Sequence, residues 1–275
     1  MLFHQSDDLT VYNADLLDVL PQLAPQSIDS VVTSPPYAMQ RKSTYGGVPE
    51  SGYPEWTVEW MRALKPALTE RGSVMINISP HVKGGMLSDY VLRMRLALRA
   101  DGWFEHDEIV WVKPNVMPSG PPSRPQRAWE SILWYSLTSK PFGDPLRNGS
   151  RNSTLDDKRQ GSTVAHSRAE RLGWKHSGTG GQTAPKPIAR CRNYCNISPS
   201  RTARGWDHPA PFPEKLADWL MKINTPDGGT VLDPFAGSGT TAVAAHANGF
   251  KSVAIERDPE YAQMIVDRYK SVTLA

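Results

Sequence analysis

The chain has 275 residues, enough to bury a sizeable core in one large α/β domain or in a domain carrying an insertion. Its apolar content of 39% is low and its 24 prolines and 21 glycines are many, so part of it should be irregular. The formal charge of +3 is small, no run approaches the roughly 18 apolar residues of a membrane span, Met1–Thr10 lacks the basic start and apolar core of a signal peptide, and Cys191 and Cys195 cannot supply a disulfide framework; membrane, secreted and collagen-like classes are excluded and a reducing cytosol is expected.

In chain order, the first segment alternates strand with helix. Leu9–Tyr12 reads as a short strand, and Leu16, Leu17, Val19 and Leu20 as an amphipathic turn before Pro21. Ser30–Thr33 is an apolar strand that stops abruptly at Ser34-Pro35-Pro36-Tyr37. Trp56, Trp60, Leu64 and Leu68 recur at helical spacing, with Pro66 ending or kinking that helix. Gly72–Ser79 alternates and is rich in β-branched residues, so it predicts a strand. Ser88 is positioned to cap a helix through Leu92, Leu96 and Leu98, stopped at Gly102. Glu108–Val112 and Ser131–Tyr135 are further strands. Alternating strands and helices predict a largely parallel, doubly wound sheet.

From Lys113 to Asp207 the chain holds 16 Lys and Arg against 6 Asp and Glu, whereas the remainder is net acidic. A basic middle in an acidic frame points to one region that faces a polyanion, or else to a solvated, loop-rich insertion. Between Pro145 and Lys186 apolar residues are sparse and show no period, so this stretch should be a long functional loop system or a segment that orders on a partner, open to protease in the free protein. The α/β rhythm then returns: a helix from Pro213 to Ile223, a strand Thr230–Leu232, an alanine-rich helix Ala242–Asn248 stopped by Gly249, a strand Ser252–Ile255, and a last helix opened by Asp258-Pro259.

Two motifs carry chemistry. Asp233-Pro234-Phe235-Ala236-Gly237-Ser238-Gly239-Thr240-Thr241 lies between a strand and a helix, where glycines permit a tight turn and the helix start presents free N–H groups. Glu256 ends the next strand, where a carboxylate can accept from ribose hydroxyls; Arg257 follows it. The loop lacks the lysine of a phosphate-binding P-loop, which suits a nucleoside cofactor with little phosphate to hold. The second motif, Thr33 through Tyr37, follows an apolar strand directly. Two prolines fix φ and remove two donors, so the nearby carbonyls act as rigid acceptors. Ser34 adds an oxygen and Tyr37 a flat face: a cradle for a planar ring with an exocyclic amino group.

With these two motifs the sequence resembles the amino-methylating DNA methyltransferases, and specifically their β group, in which the Ser-Pro-Pro-Tyr segment precedes the recognition region and the Asp-Pro-Phe-Ala-Gly-Ser-Gly loop comes last. The resemblance covers both α/β parts. It implies a Rossmann-like methyltransferase fold with a basic insertion, divided into a catalytic part (1–112), a target-recognition region (113–207) and a cofactor part (208–275) of the same domain as the first. S-adenosylmethionine is the implied cofactor and double-stranded DNA the implied partner. The implied catalytic residues are Ser34, Pro35, Pro36 and Tyr37. The implied cofactor residues are Thr33, Asp233, Pro234, Phe235, Gly237, Ser238, Gly239, Thr240, Glu256 and Arg257, with Asp15 of Asn13-Ala14-Asp15 at the adenine and His208, Pro209 and Phe212 before the Pro213 helix.

The resemblance also implies a flipped target base stacked on Tyr37, a cytoplasmic prokaryotic or phage-encoded enzyme associated with the nucleoid, and room for a homodimer and a companion restriction endonuclease that no residue here identifies. Serine before Pro-Pro-Tyr points to cytosine N4, where a carboxylate beside the ring acceptor N3 would repel; adenine N6 is the alternative. An RNA or protein-amide substrate, or a catalytically dead binder, are further readings. C5 methylation needs a nucleophilic cysteine, usually after proline, and Cys191 and Cys195 follow Arg190 and Tyr194. No metal is expected, since one Cys-X3-Cys pair is half a zinc site at most, and the glycosylation patterns at Asn148, Asn152 and Asn196 have no meaning without secretion. Arg124, Arg127, Arg147, Arg151, Lys158, Arg159, Arg168, Arg171, Lys175, Arg190, Arg192, Arg201 and Arg204 form the pool of DNA contacts, mostly to phosphate. Trp111, at a strand end before Lys113-Pro114, either packs in the core or edges the base pocket.

Overall fold

The computed structural model describes residues 1–39, 47–116, 121–151, 188–199 and 213–273. The chain divides into two units, Met1–Asp144 with Arg192–Ala275, and Pro145–Cys191.

Among the described residues, the sheet of the larger unit has nine strands: β1 (Leu2–Gln5), β2 (Leu9–Asn13), β3 (Ile28–Thr33), β4 (Leu68–Ile78), β7 (Phe104–Val112), β8 (Trp129–Ser136), β11 (Tyr194–Asn196), β12 (Thr230–Asp233) and β13 (Lys251–Glu256). Their order is β1-β2-β13-β12-β3-β4-β8-β7-β11. Only β1 and β8 run against the rest; the other seven are parallel, as the alternating pattern predicts. β8 and β11, both within 113–207, are therefore strands of the main sheet. Val31, Val32 and Thr33 are buried in succession, as befits a central parallel strand covered on both faces.

Among the described residues, six helices accompany the sheet: α1 (Leu16–Val19), α2 (Tyr53–Leu64), α3 (Tyr90–Ala100), α4 (Glu214–Asn224), α5 (Thr240–Ala247) and α6 (Pro259–Thr273). α2 has Pro54 in its first turn and passes into a 3-10 turn at Lys65–Ala67, where Pro66 stops it. Its buried stripe is Tyr53, Thr57, Trp60, Met61 and Leu64. α4 buries Leu216, Leu220 and Ile223, as its periodicity predicts, and Met221 besides.

α3 differs from expectation. Its buried face is Tyr90, Val91, Met94 and Leu98, while Leu92 and Leu96 are 61% and 66% exposed. At about 100° per residue Leu92 and Leu96 lie on the far side from Tyr90 and Met94, so an aromatic and a methionine outcompete two leucines for the core. The residue at the N-cap position is Asp89; Ser88, just before it, accepts from the Tyr90 amide at 3.5 Å and donates its hydroxyl to Glu50 at 2.9 Å.

From β3 the chain crosses through α2 to β4 on one side; from β12 it crosses through α5 to β13 on the other. β3 and β12 pair directly, Val231 with Ser30 and Leu232 with Val31, so the winding reverses between them and their carboxyl ends flank one crevice. A large apolar cluster includes Val31, Trp60, Ile76, Tyr90 and Leu232; a second holds Leu9, Val11, Ala242, Ile265 and Tyr269. Two further strands, β5 (Val82–Lys83) and β6 (Met86–Leu87), form a separate hairpin. No helix among the described residues is long and apolar enough to cross a membrane.

Of the smaller unit, the described residues form a two-stranded antiparallel ribbon, β9 (Ser150–Arg151) with β10 (Ile188–Ala189). Most of the Pro145–Lys186 stretch lies outside the described residues, as do Lys158, Arg159, Arg168, Arg171, Lys175, Arg201 and Arg204.

Candidate active site

A cavity of about 850 Å³ opens at the carboxyl ends of β3 and β12, and both sequence motifs line it. One end is made by Asp15, Trp56, the loop after β12, and Glu256 and Arg257; the other by Ser34 through Tyr37, Asn77, Trp111, Lys113, Arg127, Trp129 and Glu130.

The loop end is closed by its own hydrogen bonds. Asp233 is buried at the tip of β12. The Thr33 hydroxyl donates to its Oδ1 at 2.6 Å, the Phe235 amide to the same oxygen at 3.1 Å, and the Thr241 hydroxyl to Oδ2 at 2.6 Å. Burial raises the Asp233 pKa, and these three donors hold part of that shift back. Glu256 is 4% exposed; it accepts from the Gly237 amide at 2.8 Å and the Asp258 amide at 2.9 Å. Burial raises its pKa too, and the neighbouring Asp233 and Asp258 add to the rise. Thr33 lies behind the wall rather than on it, its hydroxyl turned to Asp233.

Gly237 and Gly239 have φ of 51° and 80°, so the loop bends through left-handed backbone as the glycines imply. Gly239 is also behind the wall. A Cβ there would fall 3.0 Å from the Ile265 Cα, so only glycine lets α6 pack against the loop. From α6, the buried Arg268 donates to the Ser238 carbonyl at 2.6 Å and hydroxyl at 3.0 Å, and pairs with Glu214 at 2.5 Å. Phe235 rests edge-on against Trp60 and tilted on Trp56, both with centroids 5.5 Å away. Asp15 lines the cavity and caps α1 through the Leu17 amide at 3.0 Å. Pro234 and Thr240 also line the wall. His208, Pro209 and Phe212 lie outside the described residues.

The opposite end is held by side chains from several remote segments. The Tyr53 hydroxyl donates to the Pro36 carbonyl at 3.0 Å, fixing the double-proline turn from α2. The Tyr37 hydroxyl donates to Glu130 Oε2 at 2.7 Å and accepts from Asn77 Nδ2 at 2.9 Å. Asn77 Nδ2 also donates to Glu130 Oε2 at 2.8 Å and reaches Ser34 Oγ at 3.5 Å. Burial and the Glu130 charge push the Tyr37 phenol well up, so it stays protonated and donates. Lys113 bonds to the other Glu130 oxygen and sits over the Trp111 ring, 4.5 Å from its centroid. The Trp111 indole donates to the Ile197 carbonyl at 2.7 Å, which holds the buried ring in the cavity wall. Asn77 Oδ1 is buried and has no hydrogen-bond partner among the described residues. Arg127 lines the same end and donates to Ser79 Oγ at 3.2 Å.

Asn77, Glu130, Lys113, Trp56 and Arg268 are not among the residues the sequence singles out for the site. Asn77 carries a readable signal, since it stands near the carboxyl end of a strand beside β3, where ligands bind in such sheets. Glu130 has none. It enters from β8, whose antiparallel direction brings its first residues, not its last, to the crevice.

A fold wound this way, with a glycine loop and an acid at one end of a crevice and the Ser34–Tyr37 turn at the other, has the architecture of a nucleoside-dependent group-transfer enzyme. The chain belongs to the N6/N4 family of DNA methylases, whose model matches residues 28–267. It is similar to the type II methyltransferase M.PvuII of Proteus hauseri, 24% identical with 92% of this chain and 81% of that one covered. It is similar also to M.Cfr9I of Citrobacter freundii, 26% identical over 96% and 90%. In fold it resembles the cytosine-N4-specific PvuII DNA methyltransferase, with a TM-score of 0.73 at 23% identity over 96% of this chain and 87% of that one. It also resembles a DNA modification methylase of Thermus thermophilus in complex with S-adenosyl-L-methionine, with a TM-score of 0.60 at 23% identity over 95% and 94%.

Proposed function

We propose that this protein methylates the exocyclic N4 amino group of a cytosine flipped out of duplex DNA, with S-adenosylmethionine as donor. The single observation that carries this reading is that the Ser34–Tyr37 cradle and the Asp233–Glu256 loop open into one cavity.

The loop end fits the cofactor on its own chemistry. It presents three carboxylates, of Asp15, Asp233 and Glu256, beside an aromatic face and has no phosphate-binding lysine. Such a set suits a nucleoside that carries positive charge, and a bound cation would ease the burial cost that raises Asp233 and Glu256. Asp15, Phe235, Gly237 and Glu256 would hold the cofactor. When bound, it supplies an electrophilic methyl group on a sulfonium.

At the other end, Ser34 Oγ and the Pro35 carbonyl accept the two amino hydrogens. The amino nitrogen of a nucleobase is a weak nucleophile because its lone pair is delocalised into the ring. Two fixed acceptors draw the hydrogens out of the ring plane and return density to nitrogen. Tyr37 supplies a stacking face, and the bonds from Asn77 and to Glu130 hold its phenol oxygen on both sides. An amino group inside a duplex is paired and out of reach, so the base has to leave the stack. Adenine offers the same pair of features, an amino group beside a ring acceptor, so the choice of cytosine rests on the neutral Ser34 and on the likeness to cytosine-N4 and type II relatives. The basic 113–207 region is the proposed recognition region, and the same likeness makes a restriction–modification role the natural setting.

Nucleoside mass spectrometry on duplex DNA incubated with protein and S-adenosylmethionine tests this. N4-methylcytosine is the expected product. N6-methyladenine would replace the base, and an unmodified duplex would move the substrate to RNA or a protein amide.

A further inference from the structure

The β5–β6 hairpin exposes apolar side chains beside the cavity. Pro80, His81 and Val82 line the cavity wall, and the chain then turns back through Gly84 and Gly85. Val82 is 44% exposed, Met86 74% and Leu87 56%. Gly84 and Gly85 have φ of 56° and 83°, both positive as in a tight two-residue turn, so the tip carries no side chain and is slim. The base of the hairpin is tied down. The Ser88 amide donates to the His81 carbonyl at 2.8 Å, and Glu50 binds His81 Nε2 at 2.8 Å and the Ser88 hydroxyl at 2.9 Å. Arg124 donates to the Gly85 carbonyl, and Lys83, 68% exposed and 3.8 Å from Glu50, stands at the turn.

Proteins seldom leave three neighbouring apolar side chains on a narrow, anchored projection without a partner for them. The partner's chemistry is set by what flanks them: two cations and the mouth of a pocket that takes a planar base. Extruding a base leaves an apolar gap in the stack, and proteins that unstack DNA fill such gaps with Met, Leu, Ile or Phe wedges.

Resting on the methyltransferase reading above, we propose that the β5–β6 hairpin is the wedge that enters the duplex at the flipped nucleotide. Met86 and Leu87 occupy the vacated space, and Lys83 and Arg124 meet the flanking phosphates.

The test compares wild type with the Met86→Ala, Leu87→Ala double variant on two duplexes carrying the sequence that wild type methylates. In one the target base is paired; in the other it faces an abasic site. Losing the wedge should slow methylation of the paired duplex by about tenfold or more, from the burial two apolar side chains forgo. On the duplex whose target is already unpaired, the two proteins should match, because opening no longer needs support. Melting temperature and S-adenosylmethionine affinity should be unchanged, since both side chains are on the surface. Equal slowing on both duplexes, or none on the paired one, overturns the wedge. A wild-type protein that methylates neither duplex overturns the methyltransferase reading first and the wedge with it.

Discussion

The two ends of the cavity are held together by different means. Around the Asp233 and Glu256 carboxylates the polar groups answer one another within one stretch of chain: backbone amides of Phe235, Gly237 and Asp258 and the Thr241 hydroxyl are donors to them, and among the described residues Thr33 alone donates to these carboxylates from outside that stretch. Around Tyr37 the network is made of side chains from remote positions, Asn77, Lys113 and Glu130, and no described residue answers Asn77 Oδ1. On the proposed function, the first arrangement is a structural knot that also binds the cofactor, and the second is a polar surface held ready for the target base, with one buried acceptor unanswered among the described residues. Damage at the first should therefore show in folding and cofactor affinity together, and damage at the second in turnover alone.

Substitutions can break that division. Ser34→Ala should have the largest effect, lowering turnover by about 10²–10³-fold with S-adenosylmethionine affinity and melting temperature unchanged, because it removes one acceptor aimed at the reacting amino group. Titration calorimetry beside single-turnover kinetics reads both quantities, and a matching fall in cofactor affinity would erase the distinction. Asp233→Ala should act in the opposite sense. It strands the Thr33 and Thr241 hydroxyls and the Phe235 amide, so stability should drop by about 2–4 kcal/mol in urea unfolding, with cofactor affinity falling alongside.

Tyr37 separates shape from polarity. Tyr37→Ala should cost about tenfold to a hundredfold in turnover through lost base stacking. Tyr37→Phe keeps the face and forfeits the bonds to Glu130 and from Asn77, so about 1–2 kcal/mol, or severalfold to tenfold in rate, is expected. If the two variants are equally slow, the phenol bond and not the ring face is what matters. The smallest effect concerns pH. Burial, with Asp233 and Asp258 nearby, raises the Glu256 pKa, so on acidification this carboxylate takes up its proton before an ordinary glutamate does. Affinity for the positively charged cofactor should weaken in that early window, and Glu256→Gln should flatten the pH profile in calorimetry.

The same contrast explains what the sequence disclosed. The strand–loop–helix–strand unit from Thr230 to Glu256 is contiguous, its glycines sit where left-handed backbone is required, and its acid ends the next strand; each part can be read from neighbours in the chain. The Ser34–Tyr37 turn is equally local. The remainder of the target end depends on strand order and direction. Glu130 arrives because β8 runs antiparallel beside β4, a fact set by sheet pairing and by nothing in residues 125–135. α3 shows the same limit on a smaller scale: its apolar residues cover more than one face, and the packing against α2 settles which leucines are left outside.

The aromatic packing behind the loop has an optical consequence. Trp56 lines the glycine-loop end and touches Phe235, whereas Trp111 and Trp129 line the Tyr37 end. The molecule thus carries intrinsic fluorophores at both ends of one cavity. On the proposed function, Trp56→Phe removes an emitter beside the cofactor and Trp129→Phe one beside the base, so that unlabelled protein can report which end fills first.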